Sequence, residues 1–320
     1  MLEVSKLIQG DKRTAAKIIT LIENDEPGKH ELLSQIYPYT GRAHVIGVTG
    51  APGAGKSSLT DELIKQARKN NLKVGVIAVD PTSPISGGAL LGDRIRMQEH
   101  ALDKNVFIRS MGTRGCLGGL ARATKDVIKV LDAYGCQVVL IETVGVGQSE
   151  LDIMHYADTT LVVLTPEAGD HIQTIKAGIM EIADIFVVNK ADLGNTKKMI
   201  TDIEQMLDMS PRFKNGWRPP VLITSTLTQE GIAELWSTIG HHLASTSASG
   251  EHQEVVRKRL AMEVMEMVEE NLRNALWNYF TVKNNLTELI DQLADRHTDP
   301  YSEAQKFVRE ISDKIFGKEH

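Results

Sequence analysis

A glycine-rich segment around residue 50 has the residue types and spacing of a phosphate-binding loop. Its glycines allow backbone N–H groups to face phosphate oxygens, and the N-terminus of a following helix adds positive electrostatic potential. Lys56 would reach the terminal phosphates of a nucleoside triphosphate, and the Ser57 hydroxyl would bind Mg²⁺. An apolar run over residues 44–49 precedes the loop and a helical pattern follows it, which is the context that such a loop requires. The predicted nucleotide contacts here are Gly50, Ala51, Pro52, Gly53, Ala54, Gly55, Lys56, Ser57 and Ser58.

A second motif, Asn189-Lys190-Ala191-Asp192, follows an apolar run over residues 185–188 and predicts selectivity for guanine. The Asp192 carboxylate can accept two parallel hydrogen bonds, from N1–H and from the 2-amino group of guanine. Adenine has neither donor, so an adenine nucleotide would leave this carboxylate unpaired. The plain alternative is an Asp that caps a helix. A weaker signal follows the next apolar run, where three residues are expected to support the base: Ser225, Thr226 and Leu227.

Acidic residues beside the phosphate loop are candidates for binding Mg²⁺ together with Ser57, because carboxylates near the carboxyl ends of strands face such a loop. They are Asp80, Asp93 and Glu142. Asp80 ends a predicted strand and Asp93 lies further along the same connection, where a helix N-cap is its alternative role. Glu142 stands where GTPases usually have Asp, and the N–H of Gly145 would contact the γ-phosphate.

The motif lacks the usual residue that positions the attacking water. GTPases commonly place a Gln directly after the glycine that corresponds to Gly145, but here Val146 follows it. Gln148 is the nearest candidate, and a solvated loop residue is the equal alternative. We therefore expect slow hydrolysis that a partner accelerates, with these catalytic candidates from the motifs: Lys56, Glu142, Gly145 and Gln148.

Short apolar runs alternate with helical patterns and would position these residues. Continuous apolar runs predict strands that are covered on both faces: 44–49, 73–79, 106–108, 137–141, 159–164, 185–188 and 221–223. Helical patterns lie between them over 57–70, 118–134, 171–182, 196–209 and 229–243. This alternation predicts an α/β domain with a doubly wound, mostly parallel sheet.

Helical segments flank this domain on both sides. Residues 1–40 form a predicted N-terminal helical extension, and residues 41–244 the α/β domain. A small polar linker over 245–250 precedes a C-terminal segment, 251–320, in which 252–281 and 284–316 predict two long amphipathic helices. Their apolar stripes exceed what a small α/β domain covers easily, so we expect this segment to dimerise; the alternative is that both helices pack on their own domain.

The composition restricts the class of protein. The chain has 320 residues, of which 42% are hydrophobic and 24% charged, as is typical of a folded globular protein. Its formal net charge of −6 and its lack of a long apolar run argue against nucleic-acid and membrane partners. Cys116 and Cys136 form neither a disulfide framework nor a zinc-binding pattern. We therefore expect a cytoplasmic protein.

Together, these motifs resemble those of the MeaB/ArgK family of GTPases over nearly the whole chain. The most specific segments are 48–57, 79–84, 92–97, 142–150 and 169–176. The resemblance implies a GTP-hydrolysing chaperone of an adenosylcobalamin-dependent acyl-CoA mutase, typically methylmalonyl-CoA mutase, which gates cofactor loading and protects the mutase. It also implies bound GTP or GDP, Mg²⁺, and a homodimer joined through the C-terminal helices.

The resemblance adds one further site residue. In the family, the loop after the strand at 159–164 is a third switch that touches the mutase, and Lys176 falls at its end. Lys176 is therefore a further catalytic candidate, although a helical lysine is solvated by default. Glu142 is the usual residue of the family, whereas Glu167 and His171 depart from its pattern, which has Gly and an acid there.

Two other functions remain open at this point. An older label of the family implies an ATPase or kinase linked to lysine, arginine and ornithine transport, against which the guanine motif argues. A nickel- or cobalt-insertion GTPase would need a Cys/His cluster, whereas the ten histidines of this chain are scattered.

Overall fold

The computed structural model describes residues 4–80, 98–100, 102–112, 119–143, 152–166, 181–209, 213, 216–283 and 286–316. Within it the chain divides into two compact units, Met1–Gln253 and Glu254–His320. The first unit contains the sheet and every described residue of the predicted nucleotide site.

The first unit is built on a parallel sheet of seven strands in the order β3-β2-β4-β1-β5-β6-β7. The strands are β1 (His44–Gly50), β2 (Val74–Asp80), β3 (Val106–Gly112), β4 (Val138–Thr143), β5 (Thr159–Leu164), β6 (Ile185–Val188) and β7 (Val221–Ile223). The predicted doubly wound parallel sheet is therefore confirmed. Two strands run more than one residue past their predicted ends. β3 continues four residues further, to Gly112, because it stays paired with β2. β4 runs two residues past the predicted end because strands on both sides of it continue, and Glu142 pairs with Val48 of β1.

Helices flank the sheet and extend beyond it. They are α1 (Val4–Ile8), α2 (Lys12–Glu23), α3 (Lys29–Ile36), α4 (Lys56–Lys69), α5 (Gly119–Ala133), α6 (Thr196–Asp208), α7 (Ile232–Ala248), α8 (Glu251–Lys283), α9 (Leu286–Ala294) and α10 (Pro300–Phe316). Most of the predicted helix at 171–182 lies outside the described residues.

Alternate residues of the buried strands supply two apolar layers, one on each face of the sheet. On one face, α4 and α7 pack through residues such as Leu59, Leu63 and Leu235. On the other face, α5 and α6 pack together with the N-terminal helices, whose Ile18 and Ile19 are fully buried in the same core. Residues 4–36 thus share the core of the α/β unit.

A carboxylate fixes the point at which the chain enters the central strand. Asp132 of α5 accepts hydrogen bonds from the backbone N–H groups of Gly41, Arg42 and Ala43, directly before β1. Burial raises the pKa of Asp132, and these backbone hydrogen bonds oppose that rise. The N-terminal helices are therefore joined to β1 by a segment that is held in place, which sets where the phosphate loop begins.

Two predictions about the C-terminal segment are wrong. The predicted linker at 245–250 is mostly helical, since α7 continues to Ala248 and its Thr246 hydroxyl bonds back to the His242 carbonyl. The predicted helix at 284–316 is two helices, α9 and α10. The break occurs because Pro300 begins α10, and the Asp299 carboxylate accepts from the N–H groups of Tyr301 and Ser302, which caps the new helix.

A buried polar network lies at the amino end of the sheet, opposite the phosphate loop. The Thr159 hydroxyl contacts His44 Nε2 at 2.9 Å and His242 Nδ1 at 2.8 Å. Burial lowers the pKa of His44 to about 4, and the nearby Asp158 carboxylate opposes this only partly. His44 is therefore neutral in the folded protein at neutral pH.

This burial predicts a loss of stability in mild acid. The unfolded chain binds a proton at His44 near pH 6.5, whereas the folded chain resists protonation down to about pH 4. The stability that His44 contributes is thus present above pH 6.5 and is lost as the pH falls toward 4, by about 3 kcal/mol at most. Urea unfolding of wild type and His44→Gln from pH 7.5 to 4.5 measures this: wild type should lose stability relative to the variant. If the free energies of unfolding of the two proteins changed with pH in parallel, the lowered pKa of His44 would be contradicted.

Candidate nucleotide site

The phosphate loop leaves β1 in a backbone conformation that only glycine accommodates. Gly50 has φ of 137°, and a Cβ atom there would lie 2.1 Å from the Val163 carbonyl oxygen of β5. Gly55, at the N-cap of α4, has φ of 87°, and a Cβ there would lie 2.5 Å from Asn189 Nδ2. Two of the predicted loop glycines are therefore required by close contacts with neighbouring elements.

Lys56 begins α4 and is held across the loop. Its ammonium group donates hydrogen bonds to the carbonyl oxygens of Gly50 at 2.7 Å and Ala51 at 3.1 Å, and the residue is buried. The charge thus sits within the loop whose backbone is arranged to bind phosphates. The structure places Lys56 where the sequence predicted it.

Ser57 and Glu142 form the best-defined pair for Mg²⁺. The Ser57 hydroxyl donates to Glu142 Oε1 at 2.5 Å, and both residues are buried. A hydroxyl and a carboxylate side by side, next to a phosphate loop, are the oxygen ligands that Mg²⁺ prefers. These two residues therefore fit the ion. Asp80 ends β2, the strand that neighbours β4, as predicted.

Four predicted site residues lie outside the part of the chain that the structure describes. They are Asp93, Gly145, Gln148 and Lys176. Their predicted roles toward Mg²⁺, the γ-phosphate, the attacking water and the partner remain predictions. The same holds for Glu167 and His171.

Asn189 joins the guanine motif to the phosphate loop. Its side chain is fully buried, and its Nδ2 donates to the Ala54 carbonyl at 3.0 Å. The Thr224 hydroxyl donates to Asn189 Oδ1 at 3.1 Å, so the same amide also reaches the end of β7. One side chain therefore fixes three segments that are distant in sequence. The part played by Thr224 is a contact that the sequence analysis missed.

Asp192 is exposed, and its carboxylate is oriented by Ser225. The buried Ser225 hydroxyl donates to Asp192 Oδ1 at 2.5 Å and accepts from the Thr228 N–H at 3.2 Å. The Thr224 carbonyl accepts from the Ala191 N–H at 3.1 Å, which holds the two loops together. The prediction expected the backbone of residues 225–227 to support the base. The structure adds a side-chain role for Ser225. The only signal for this role in the sequence was a hydroxyl residue at the end of a predicted strand.

The predicted motifs converge on one edge of the sheet. The phosphate loop, Glu142, the Asn189–Asp192 segment and the loop after β7 all follow or end strands at their carboxyl ends. Thr226 is half-buried there, and Leu227 is 81% exposed. An exposed apolar side chain in the loop whose Ser225 orients the Asp192 carboxylate suits an aromatic base.

The described residues offer little support for a transition-metal site, a reactive thiol or a membrane span. Within them, no group of three or more His, Cys, Asp or Glu side chains could hold a metal ion. Burial raises the pKa of Cys136 to about 12, so this thiol is unreactive. Cys116 lies outside the described residues. The helices that are described include none with the length and apolar character of a membrane span.

Comparison with known proteins identifies the family of this chain. The model of the family described as methylmalonyl-CoA mutase-associated GTPase MeaB matches residues 15–280. A putative GTPase of Pyrococcus abyssi is 50% identical, covering 96% of this chain and 95% of that protein. GTPase ArgK of Escherichia coli is 37% identical, covering 86% and 85%. A crystal structure of a LAO/AO transport system kinase superposes with a TM-score of 0.72 at 28% identity, covering 97% and 96%. The chain therefore belongs to the MeaB family of GTPases.

Proposed function

We propose that this GTPase is a chaperone of an adenosylcobalamin-dependent acyl-CoA mutase, with methylmalonyl-CoA mutase as its partner. The observation that carries the proposal is the match of residues 15–280 to a family described as associated with that mutase. In this role, GTP binding and hydrolysis gate the loading of the cobalamin cofactor and protect the mutase. The activity is cytoplasmic, with neither nucleic acid nor membrane as a partner.

The geometry supports GTP as the nucleotide. The loop over residues 50–58 would receive the phosphates, with Lys56 already positioned inside it. Asn189 and Lys190 would flank the base, and Asp192 would accept its two donors. The loop over residues 225–227 would support the base from the other side.

Mg²⁺ would be held by Ser57 and Glu142, with Asp80 and Asp93 as the remaining candidates. When bound, the ion would neutralise charge on the β- and γ-phosphates. Lys56 would stabilise the charge that develops as the terminal phosphoryl group leaves, since its ammonium is fixed in advance.

A second candidate function follows from the likeness to the LAO/AO transport system kinase that superposes on this chain. A kinase or ATPase linked to transport would need ATP. The oriented carboxylate of Asp192 favours guanine, because it would face no donor on adenine. Nucleotide selectivity therefore separates the two functions.

We expect GTP to bind at least about a hundredfold more tightly than ATP, because only guanine satisfies Asp192. Asp192→Asn should weaken GTP binding by about 1–3 kcal/mol, and Ser225→Ala by about 1 kcal/mol, because the carboxylate loses its fixed orientation. Isothermal titration calorimetry with each nucleotide measures both. Asp202→Asn, the same change on α6, is the control and should bind as wild type. Equal affinity for ATP and GTP would refute the guanine assignment.

The chaperone role predicts that the mutase accelerates hydrolysis. Single-turnover GTP hydrolysis should rise about tenfold or more when saturating methylmalonyl-CoA mutase is added, because a site without a complete set of catalytic groups is completed by its partner. Lys176→Ala should lower this stimulated rate, whereas Lys198→Ala, an exposed lysine on α6, should not. A mutase that neither binds the protein nor changes its rate would exclude this partner.

The second unit supports a homodimer. Four apolar residues recur at intervals of one helical turn along α8, and each is at least 36% exposed: Leu260, Val264, Val268 and Leu272. Such a stripe is stabilised when a second copy covers it.

Val268→Glu in the full chain should therefore yield monomers that still bind GTP, because a charge in the middle of the stripe resists burial. Sedimentation velocity at micromolar concentration measures this. Asn274→Glu places the same charge on a different face of α8 and should leave the dimer intact. A wild-type chain that sediments as a monomer would contradict the proposal.

A further inference from the structure

A row of six buried side chains crosses the first unit on the face of the sheet opposite α4. The six neighbouring strands from β3 to β6 each contribute one residue, and strand pairing together with the Thr143–Thr49 hydrogen bond places them side by side. In order across the sheet they are Met111, Val79, Thr143, Thr49, Val162 and Phe186. All are buried, and the central two are the polar members of the row.

These two threonines bond to each other. The Thr143 hydroxyl donates to Thr49 Oγ1 at 3.0 Å, and neither residue is more than 2% exposed. Val has the shape of Thr without the hydroxyl, and burying a hydroxyl is costly unless it is bonded. Packing alone would therefore favour two valines here, as at Val79 and Val162 on either side.

The pair lies at the junction of two segments of the site. Thr49 directly precedes Gly50, whose carbonyl accepts from Lys56. Thr143 directly follows Glu142, which accepts from Ser57. Since neighbouring residues of a strand point to opposite faces, the Ser57–Glu142 bond joins β4 to the start of α4 on one face of the sheet, and the Thr49–Thr143 bond joins β4 to β1 on the other face.

We propose that the Thr49–Thr143 hydrogen bond is a positioning element for GTP hydrolysis. It fixes the start of the phosphate loop relative to the end of β4, and so holds Lys56 and Glu142 in register. The segment containing Gly145 begins at the next residue after Thr143. The inference rests on the proposed nucleotide site, and it assigns to two buried residues an effect on turnover and none on binding.

The test is Thr143→Val in the full chain. We expect kcat for GTP hydrolysis to fall about tenfold or more, because a small misplacement of catalytic groups lowers turnover. KM, the Kd for GTP and the thermal unfolding midpoint should stay close to wild type. Thr143→Ser, which keeps the hydroxyl, should restore most of kcat. Thr49→Val should match Thr143→Val, and the double variant should be no slower than either, since both remove one bond.

Thr160→Val is the matched control. Thr160 is a buried threonine near the amino end of β5, away from the phosphate loop. The kcat of Thr160→Val should therefore equal that of wild type. Wild-type kcat in Thr143→Val would overturn the inference and leave the nucleotide site standing. Failure of Thr143→Ser to restore kcat would also overturn it, since the effect would then be one of packing.

If Thr143→Val does not fold, Thr49→Val and Thr143→Ser decide by the same criteria. Unchanged GTP binding and turnover in Lys56→Ala would instead refute the proposed site.

Discussion

The proposed nucleotide site depends on the side-chain amide of Asn189. It donates to the Ala54 carbonyl in the phosphate loop and accepts from Thr224 after β7, with no exposed surface of its own. It joins the phosphate loop directly to the segments that are proposed to bind the base, in addition to their connection through the sheet. The tightness of this contact also explains Gly55, because any side chain there would collide with the same amide. The requirement for glycine at position 55 of the phosphate loop is thus set by Asn189, a residue of the guanine motif.

The parallel sheet converts motifs that are scattered along the chain into one site. All strands point the same way, so every strand-to-helix connection that follows a carboxyl end emerges on one edge. Burial on both faces keeps the strands rigid, and the buried amino end carries a different polar network around Thr159. The two ends of the sheet therefore differ in chemistry: the carboxyl end carries the exposed Asp192 carboxylate and the phosphate loop, and the amino end carries the hydrogen bonds of Thr159 to two histidines.

Much of this arrangement could be predicted from local sequence. The strands were evident because strands that are buried on both faces consist of continuous apolar runs. The phosphate loop was evident because its glycines have no substitute. Contacts over long distances in the sequence were not evident. Nothing near Ser225 indicates that its hydroxyl would orient Asp192, and nothing near Thr49 indicates its bond to Thr143. The extension of α7 through residues 245–248 was missed because small polar residues resemble a linker until their hydroxyls bond within the helix.

The order of the motifs along the chain has a consequence for synthesis on the ribosome. The Ser57–Glu142 bond joins residues 85 apart, and the Asn189–Ala54 bond joins residues 135 apart. The phosphate loop is thus made early but acquires its partners late, and the oriented carboxylate forms only after Ser225 has emerged. A nascent chain cannot hold GTP in the complete site until most of the first unit has left the ribosome. Nucleotide binding is then a late event in the synthesis of this protein, and the synthesis of its second unit follows closely.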